Sequence, residues 1–460
     1  MTVSLKRHLL TGGSWALAGK IVTAVSNVLI SSLLARILST EVFGAFGLAF
    51  SLTTGGAMLS QLGLQQAVVR LIAESMGRDE PGRARASVLF AFRYVVLGIL
   101  GVAAFLLLGG GAWLALEVWE SPALAGALSA IAVWMAVASL QVLTSETFRG
   151  FKDLRFASLF GGVVTGALTL SALAGFALWQ REASLVQVVW ISAGATAVSL
   201  LLGVTLVRRK LRVLPHGETI APHEVFSISL PLWVSGVMAF ALGQAALWVL
   251  GSFLPKEEVG LYFAALRLVN LVSMPLVLVN LIVPPFIADL YARGEKGQLQ
   301  RVVRATATIA GVPAFVVLTT FMLFGGPIMA LVFGEPYKAA APLLALLSVG
   351  YLVNVWTGSC GVSLSMTGHQ TVLMRITIVS GIISVGGSLL VVQRFGTLGV
   401  AAVVSASAAL QNLWMWIAAR YYTGIWTHAT IPSRQDIRSV LSRTPEAPPT
   451  DTDGISGPDS

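Results

Sequence analysis

Charge is scarce in this chain. Only 11% of its 460 residues are charged, against 56% hydrophobic, and an ordinary soluble domain carries roughly 25% charge. The apolar residues run in long stretches such as AVVSASAALQNLWMWIAA and FALGQAALWVLGSFL, more than one buried core can use, so a soluble globular protein is excluded. Cysteine is nearly absent. Cys360 stands alone, which rules out an internal disulfide framework and a thiolate metal cluster and leaves it as a small apolar filler in a helix. The five histidines (His8, His216, His223, His369 and His428) all fall in tails or connections. No P-loop or metal-ligand cluster is present, so neither a metal nor a cofactor is expected.

Deep acidic residues are also missing. Glu74 and Glu146 lie near span ends and no span carries a carboxylate at its centre. Proton and sodium carriers usually keep one there, so no coupling ion is assigned. Large connections are lacking on one side of the membrane, where only GGAWLALEVWESP, QREA, LPKEE, FGEPYK and QRFG occur. A membrane enzyme working on that face needs a folded loop to hold its acid, base or metal, so no catalytic residue is expected.

What is present is a series of spans. A helix rising 1.5 Å per residue needs about 20 mostly apolar residues to cross roughly 30 Å of hydrocarbon. On that rule spans lie near 12–34, 43–66, 88–108, 123–146, 158–179, 186–207, 225–251, 260–286, 304–333, 339–365, 371–393 and 397–421. With the N-terminus in the cytoplasm, twenty-two Lys and Arg fall on the inner side, from Lys6 and Arg7 to Arg443. Only Arg36, Arg181, Lys256, Lys338 and Arg394 fall outside. This positive-inside bias persists from loop to loop and supports an even span count with both termini cytoplasmic. The net charge of +9 is scattered in short clusters, which argues against nucleic acid. MTVSLKRHLL has a basic start but no convincing cleavage site follows, so the first apolar run is expected to stay in the protein. The end of the chain, rich in Pro, Asp, Ser and Thr, is expected to be disordered.

Two parts of the sequence repeat at a nearly constant offset, a little under half the length of the chain. EVFGAFGLAF and EEVGLYFAAL align Gly44 with Gly260; RLIAESMGR and PFIADLYAR align Glu74 with Asp289; RGFKDLRF and MTGHQTVL place Arg149 near Met366. Chance likeness between apolar helices does not hold such a register. The chain therefore divides into a six-helix lobe at 1–207, a cytoplasmic connection at 208–224, a second six-helix lobe at 225–421 and a cytoplasmic tail at 422–460. Each lobe has an even number of spans, so the repeats are parallel about an axis along the membrane normal. The expected fold is all-α, with about twelve spans in two pseudo-symmetric lobes, V-shaped around a central cavity.

Three basic residues lie inside spans: Lys20, Arg93 and Arg267. A charge at the centre of a membrane helix costs about 2.5–3.5 kcal/mol on insertion scales. Lys20, Thr23, Asn27 and Ser31 are spaced 3, 4 and 4 apart, a polar stripe on one helix face for which lipid has no use; snorkelling of the flexible lysine stem to the headgroups is the alternative for Lys20. Arg267 lies roughly 10 Å from the outer end of its span, with Asn270 and Ser273 near the same side and no acid in reach. A guanidinium cannot shed its proton, so it requires water, a polar partner or an anionic ligand. Arg93 is about a turn inside its span and reads first as an interfacial anchor, with a place in the cavity lining as the alternative. Gln61, Gln65, Gln141, Ser145, Gln244, Tyr351, Asn354, Gly358 and Ser365 complete the candidate cavity lining, although such polar groups also join helices. Pro231, Pro275, Pro284, Pro285, Pro313, Pro327 and Pro342 all fall in or beside second-half spans, and this half is expected to be the more kinked.

A cleft with fixed positive charge favours an anionic cargo, and a lipid-linked sugar satisfies both its cations and its hydroxyl-binding side chains. The stretch LLTGGSWALAGKIVTAVSNVLISSLLARILSTEVFGAFGLAFSLTTGGAMLSQLGLQQAVVRLIAE resembles the opening of polysaccharide biosynthesis flippases of the multidrug, oligosaccharidyl-lipid and polysaccharide exporter superfamily. SMTGHQTVLMRITIVSGIISVGGSLLVVQRFGTLGVAAVV is similar to their tenth-to-twelfth-span region. The likeness covers about residues 5 to 425 and rests on a dispersed pattern. It implies movement of undecaprenyl-pyrophosphate-linked repeat units from the cytoplasmic to the periplasmic leaflet of a bacterial inner membrane, for O-antigen, capsule or exopolysaccharide synthesis. It further implies other polysaccharide assembly proteins as partners, and basic cavity residues, matched here in placement by Lys20 and Arg267. Another carrier of the superfamily and a polyprenyl-sugar polymerase or ligase are the alternatives.

Overall fold

The structure is a computed structural model that describes residues 3–180, 182–216 and 219–430; the end of the expected disordered tail lies outside them. All regular structure among the described residues is helical. The long helices of the first half are α1 (Val3–Ile37), α2 (Thr40–Gln61), α3 (Leu64–Gly77), α4 (Pro81–Leu107), α5 (Leu128–Gly150), α6 (Leu154–Trp179) and α7 (Leu185–Arg212). Those of the second half are α8 (Pro222–Phe253), α9 (Lys256–Ile282), α10 (Pro284–Ala292), α11 (Lys296–Phe333), α12 (Ala341–Thr357), α13 (Cys360–Met366) and α14 (Gln370–Thr423).

Local chemistry sets the boundaries. The Ser39 hydroxyl accepts the Val42 N–H at the start of α2, and Ser184 and Gln187 form a reciprocal capping box at the start of α7. Leu62 and Gly63 adopt left-handed backbone at φ 50° and 73°. This break ends the expected 43–66 span at Gln61 and starts α3 as a separate helix, because a left-handed pair cannot continue a right-handed ladder.

Among the described residues, eleven helices are long and apolar enough to cross a membrane. One of them, α14, has 54 residues and straightened would measure about 80 Å at 1.5 Å per residue, more than two hydrocarbon thicknesses. It is interrupted at Gly396 (φ 58°, ψ −149°) and doubles back. A Cβ at Gly387 would lie 2.8 Å from the Val403 side chain on the returning segment. Counted as two, it gives the expected twelve spans. The second half contains the expected proline-linked breaks, with Phe324 non-helical just before Pro327 and Pro284 starting a new helix. The first half is nevertheless kinked without proline, at a π-helical turn over Leu159–Val163 where Gly162 has φ 148°.

Connections gather at two opposite ends. At one, Arg83 pairs with Glu224, Lys210 with Asp153 at 3.3 Å, and Arg85 donates to the Leu211 carbonyl at 2.8 Å. At the other, the Arg36 guanidinium donates to the Leu331 and Val332 carbonyls, and Thr397 donates to Glu258 at 2.5 Å. The first is the end to which the loop-by-loop bias assigns most basic residues.

At the opposite end the two halves interlock through α2 and α9. A Cβ on Gly44 would overlap the Lys256 carbonyl, and one on Gly260 would meet the Thr40 carbonyl at 2.5 Å. Gly44 and Gly260 are the repeat-aligned glycines, and Thr40 and Lys256 are related by the same offset. A reciprocal contact of this form arises when equivalent elements meet across a two-fold axis. Small residues allow the backbones to approach closely where lipid gives no hydrophobic drive to association. Around them the buried rings of Phe43, Phe263, Phe333 and Tyr337 pack with centroids 5.4 to 6.4 Å apart.

The flanks are less symmetric. Helix α8 lies along α2 and onto α3, with the Trp233 indole N–H donating to the Met58 carbonyl at 3.2 Å and Phe226 set against Phe90 and Tyr94. Its repeat counterpart α1 meets α9 and α11, where Ser32 donates to the Val332 carbonyl, and packs mainly on α6.

Candidate functional site

A cavity of about 360 Å³ lies within the first half and is lined by α1, α2, α5, α6 and α7, with one residue from α9. The polar stripe of α1 faces it in full: Lys20, Thr23, Asn27 and Ser31 all line the wall. Opposite them stands α5, with Gln141, Ser145, Glu146 and Arg149.

The π-turn of α6 shapes the wall between these helices. A π-turn releases backbone groups from the regular ladder, and the Gln141 amide donates to the Phe160 carbonyl at 2.6 Å and to the Ser199 hydroxyl at 3.0 Å. Gly161 and Gly162 leave no room for side chains: a Cβ on the first would lie 2.9 Å from the Ser145 oxygen and on the second 2.8 Å from that of Thr23. The two glycines thereby bring α6 against both polar faces.

Arg267 is the one lining residue from the second half. Its guanidinium lies over the rings of Phe50 and Phe263, 4.4 and 4.5 Å from their centroids. Its Nε is buried with no hydrogen-bond partner among the described residues. A cation between two rings gains about 0.5–2 kcal/mol per contact, which fixes its position but leaves the Nε donor without a protein partner. Lys20, Arg149 and Arg267 thus face one carboxylate, Glu146, which Arg149 engages at 2.8 Å. The cavity is net positive.

The other expected lining residues are divided. Tyr351 and Asn354 line a separate cavity of about 460 Å³ in the second half. Of the further candidates, Arg93 and Asn270 are exposed and Gln244 is half-buried, and none of them lines either cavity. Gln61 is 4% exposed at the end of α2, and Gln65 belongs to α3 beyond the backbone break, its amide oxygen buried. Gln61 and Gln65 pack between helices, as membrane amides commonly do. Glu146 and Arg149 were not among the expected site residues. The signal was available in the spacing of Gln141, Ser145 and Arg149 by fours, the periodicity that exposes the stripe on α1.

The model of the polysaccharide biosynthesis protein family matches residues 9–291. The chain belongs to that family. Its sequence is also 23% identical to a probable low-salt glycan biosynthesis flippase of Haloferax volcanii over 192 residues, an alignment spanning 41% of this chain and 40% of that relative. Three solved structures share the fold. An inward-facing multidrug resistance transporter of the MATE family matches with a TM-score of 0.74 at 16% identity, over 87% of this chain and 94% of that one. The lipid II flippase MurJ matches with 0.67 at 12%, over 92% and 89%. A MOP superfamily transporter from Pyrococcus furiosus, with a binding pocket of reversed polarity, matches with a TM-score of 0.66 at 15% identity, over 91% of this chain and 96% of that one. The fold is therefore the all-helical, multi-span fold of these transporters, with twelve spans once α14 is counted as two. Family and fold together place the chain among polysaccharide biosynthesis proteins that have the multi-span helical fold of these transporters.

Proposed function

We propose that the protein flips a polyprenyl-pyrophosphate-linked oligosaccharide, of the undecaprenyl type used for O-antigen, capsule or exopolysaccharide, from the cytoplasmic to the periplasmic leaflet of a bacterial inner membrane. The observation that carries this reading is Arg267, held on Phe50 and Phe263 with its buried Nε unpaired among the described residues, facing a cavity that also contains Lys20 and Arg149. A phosphate oxygen about 4 Å from one guanidinium gains roughly 4 kcal/mol at an effective dielectric of ~20, so the site favours a phosphate over a neutral lipid. A cationic drug meets charge of its own sign there and is disfavoured. In this reading the lobes are residues 1–207 and 225–421, joined by the 208–224 connection, and the Arg- and Lys-rich end is cytoplasmic. The α2–α9 interlock then closes the periplasmic end, and the headgroup enters from the inner leaflet. Transport consists of a rocking of the lobes that opens the interlock, with no covalent step.

The test has two parts. Loss of the protein should cause a lipid-linked glycan to accumulate in the inner leaflet, and Arg267→Ala should reproduce that accumulation at normal protein level and membrane insertion. Full transfer by the Arg267→Ala protein removes the residue from the site. Cysteines replacing the exposed Glu117 and Arg155 should label from opposite faces, and labelling from the same face overturns the orientation.

A further inference from the structure

The second cavity is the repeat counterpart of the first. Ala138, Glu146 and Thr196 line the cavity of the first half, and the positions related to them by the Gly44-to-Gly260 offset, Asn354, Val362 and Asn412, line that of the second. One architecture therefore occurs twice, with different chemistry. The first contains three cations and a carboxylate. The second, at about 460 Å³, is lined by no charged side chain among the described residues.

It is polar all the same. Ser359 donates to the Asn280 amide oxygen at 2.6 Å, which orients that amide. The side chains of Tyr351, Asn354 and Gln411 line the space with no hydrogen-bond partner among the described residues. Each amide presents both donors and an acceptor, and a tyrosine adds a hydroxyl and a ring face. Uncharged two-way hydrogen bonding of this kind discriminates poorly for a phosphate, which needs charge-assisted donors. It matches a polyhydroxyl compound, each of whose hydroxyls both donates and accepts. The volume falls within the roughly 300–1,000 Å³ of ligand pockets.

We propose that the second-half cavity is a carbohydrate subsite that receives neutral sugar residues of the cargo while the first-half cavity holds its pyrophosphate. This rests on the flippase reading above and divides its recognition between the lobes.

The experiment measures binding of two lipids to the purified full chain in detergent or nanodiscs: undecaprenyl pyrophosphate without sugar, and the lipid-linked glycan isolated from cells lacking the protein. With two hydrogen bonds lost, Asn354→Leu combined with Gln411→Leu should weaken the glycan-bearing lipid roughly 5- to 150-fold and leave the sugar-free lipid unchanged. Tyr351→Phe, which removes one hydroxyl and keeps the packing, should weaken the glycan-bearing lipid by about two- to twelvefold and serves if the double variant does not fold. Arg267→Ala should weaken both lipids equally. Equal changes for the two lipids in the second-cavity variants, or no change, overturn the carbohydrate assignment alone. Failure of the unaltered protein to bind either lipid overturns the cargo reading and this inference with it.

Discussion

The reciprocal glycine contact makes a demand that a single substitution tests. Ordinary van der Waals contact begins near 3.4 Å, whereas a Cβ on Gly44 would stand 2.9 Å from the Gly260 nitrogen. Relieving that approach alone requires several tenths of an ångström, and the overlap with the Lys256 carbonyl requires more. Both neighbours are backbone, so no rotamer change absorbs the shift. Gly44→Val must push α2 and α9 apart, and overpacking of this kind costs about 1–3 kcal/mol. The cost falls on the state in which this end is shut and not on a state in which it is open, so the equilibrium moves roughly 5- to 150-fold toward opening. Spin labels on cysteines replacing Glu41 and Glu257, both exposed at the starts of the two helices, should report a longer-distance population by double electron–electron resonance. Gly77→Val is the control, since nothing lies within 4 Å of a Cβ there. An unchanged distance distribution in correctly inserted Gly44→Val protein would refute the argument that backbone contact between these helices holds the end closed.

Further outcomes are expected. Arg267→Lys keeps the charge but loses the planar stack on Phe50 and Phe263, so it should retain only part of the transport measured in cells, between the unaltered protein and Arg267→Ala. The Arg83–Glu224 pair joins α4 to the start of α8 at a partly exposed position; Arg83→Ala should cost no more than about 1 kcal/mol in thermal unfolding, and exchanging the two residues should restore it. His428 lies beyond the last span, accepts the Trp416 indole N–H at 3.1 Å, and is held below its ordinary pKa of 6.5 by burial and then by Arg304. Its contribution to stability is therefore present above pH 6.5 and is lost as pH falls through the depressed value. His428→Phe should flatten thermal unfolding against pH in that window, and an unaltered profile would exclude the imidazole as its source.

The parts legible in the sequence are those governed by local periodicity. Lys20, Thr23, Asn27 and Ser31 could be placed on one face from their spacing alone, and the lengths of the apolar runs marked out the spans. The repeat was legible through Gly44 and Gly260, but not the fact that they touch, because an alignment carries no information about where a symmetry axis passes. The rings that hold Arg267 were hidden for a related reason: Phe50 lies in the other half of the chain, and apolar spans contain many phenylalanines. Tyr351 and Asn354 were assigned to a shared central cleft on polarity, whereas the packing of α12 against α14 gives them a chamber of their own. Glu146 was set aside for its depth near a helix end. Depth alone did not reveal that its face points inward.

The reversal at Gly396 bears on how the chain is made. A single residue, in backbone territory essentially reserved for glycine, joins two membrane-crossing segments with no loop between them. Neither segment has slack to wait in water while the other is threaded, so the pair must leave the insertion machinery together as a helical hairpin. A side chain at this position meets no neighbour; its damage falls on biogenesis, and misassembled chains should be cleared by membrane proteases before any transport defect can be measured.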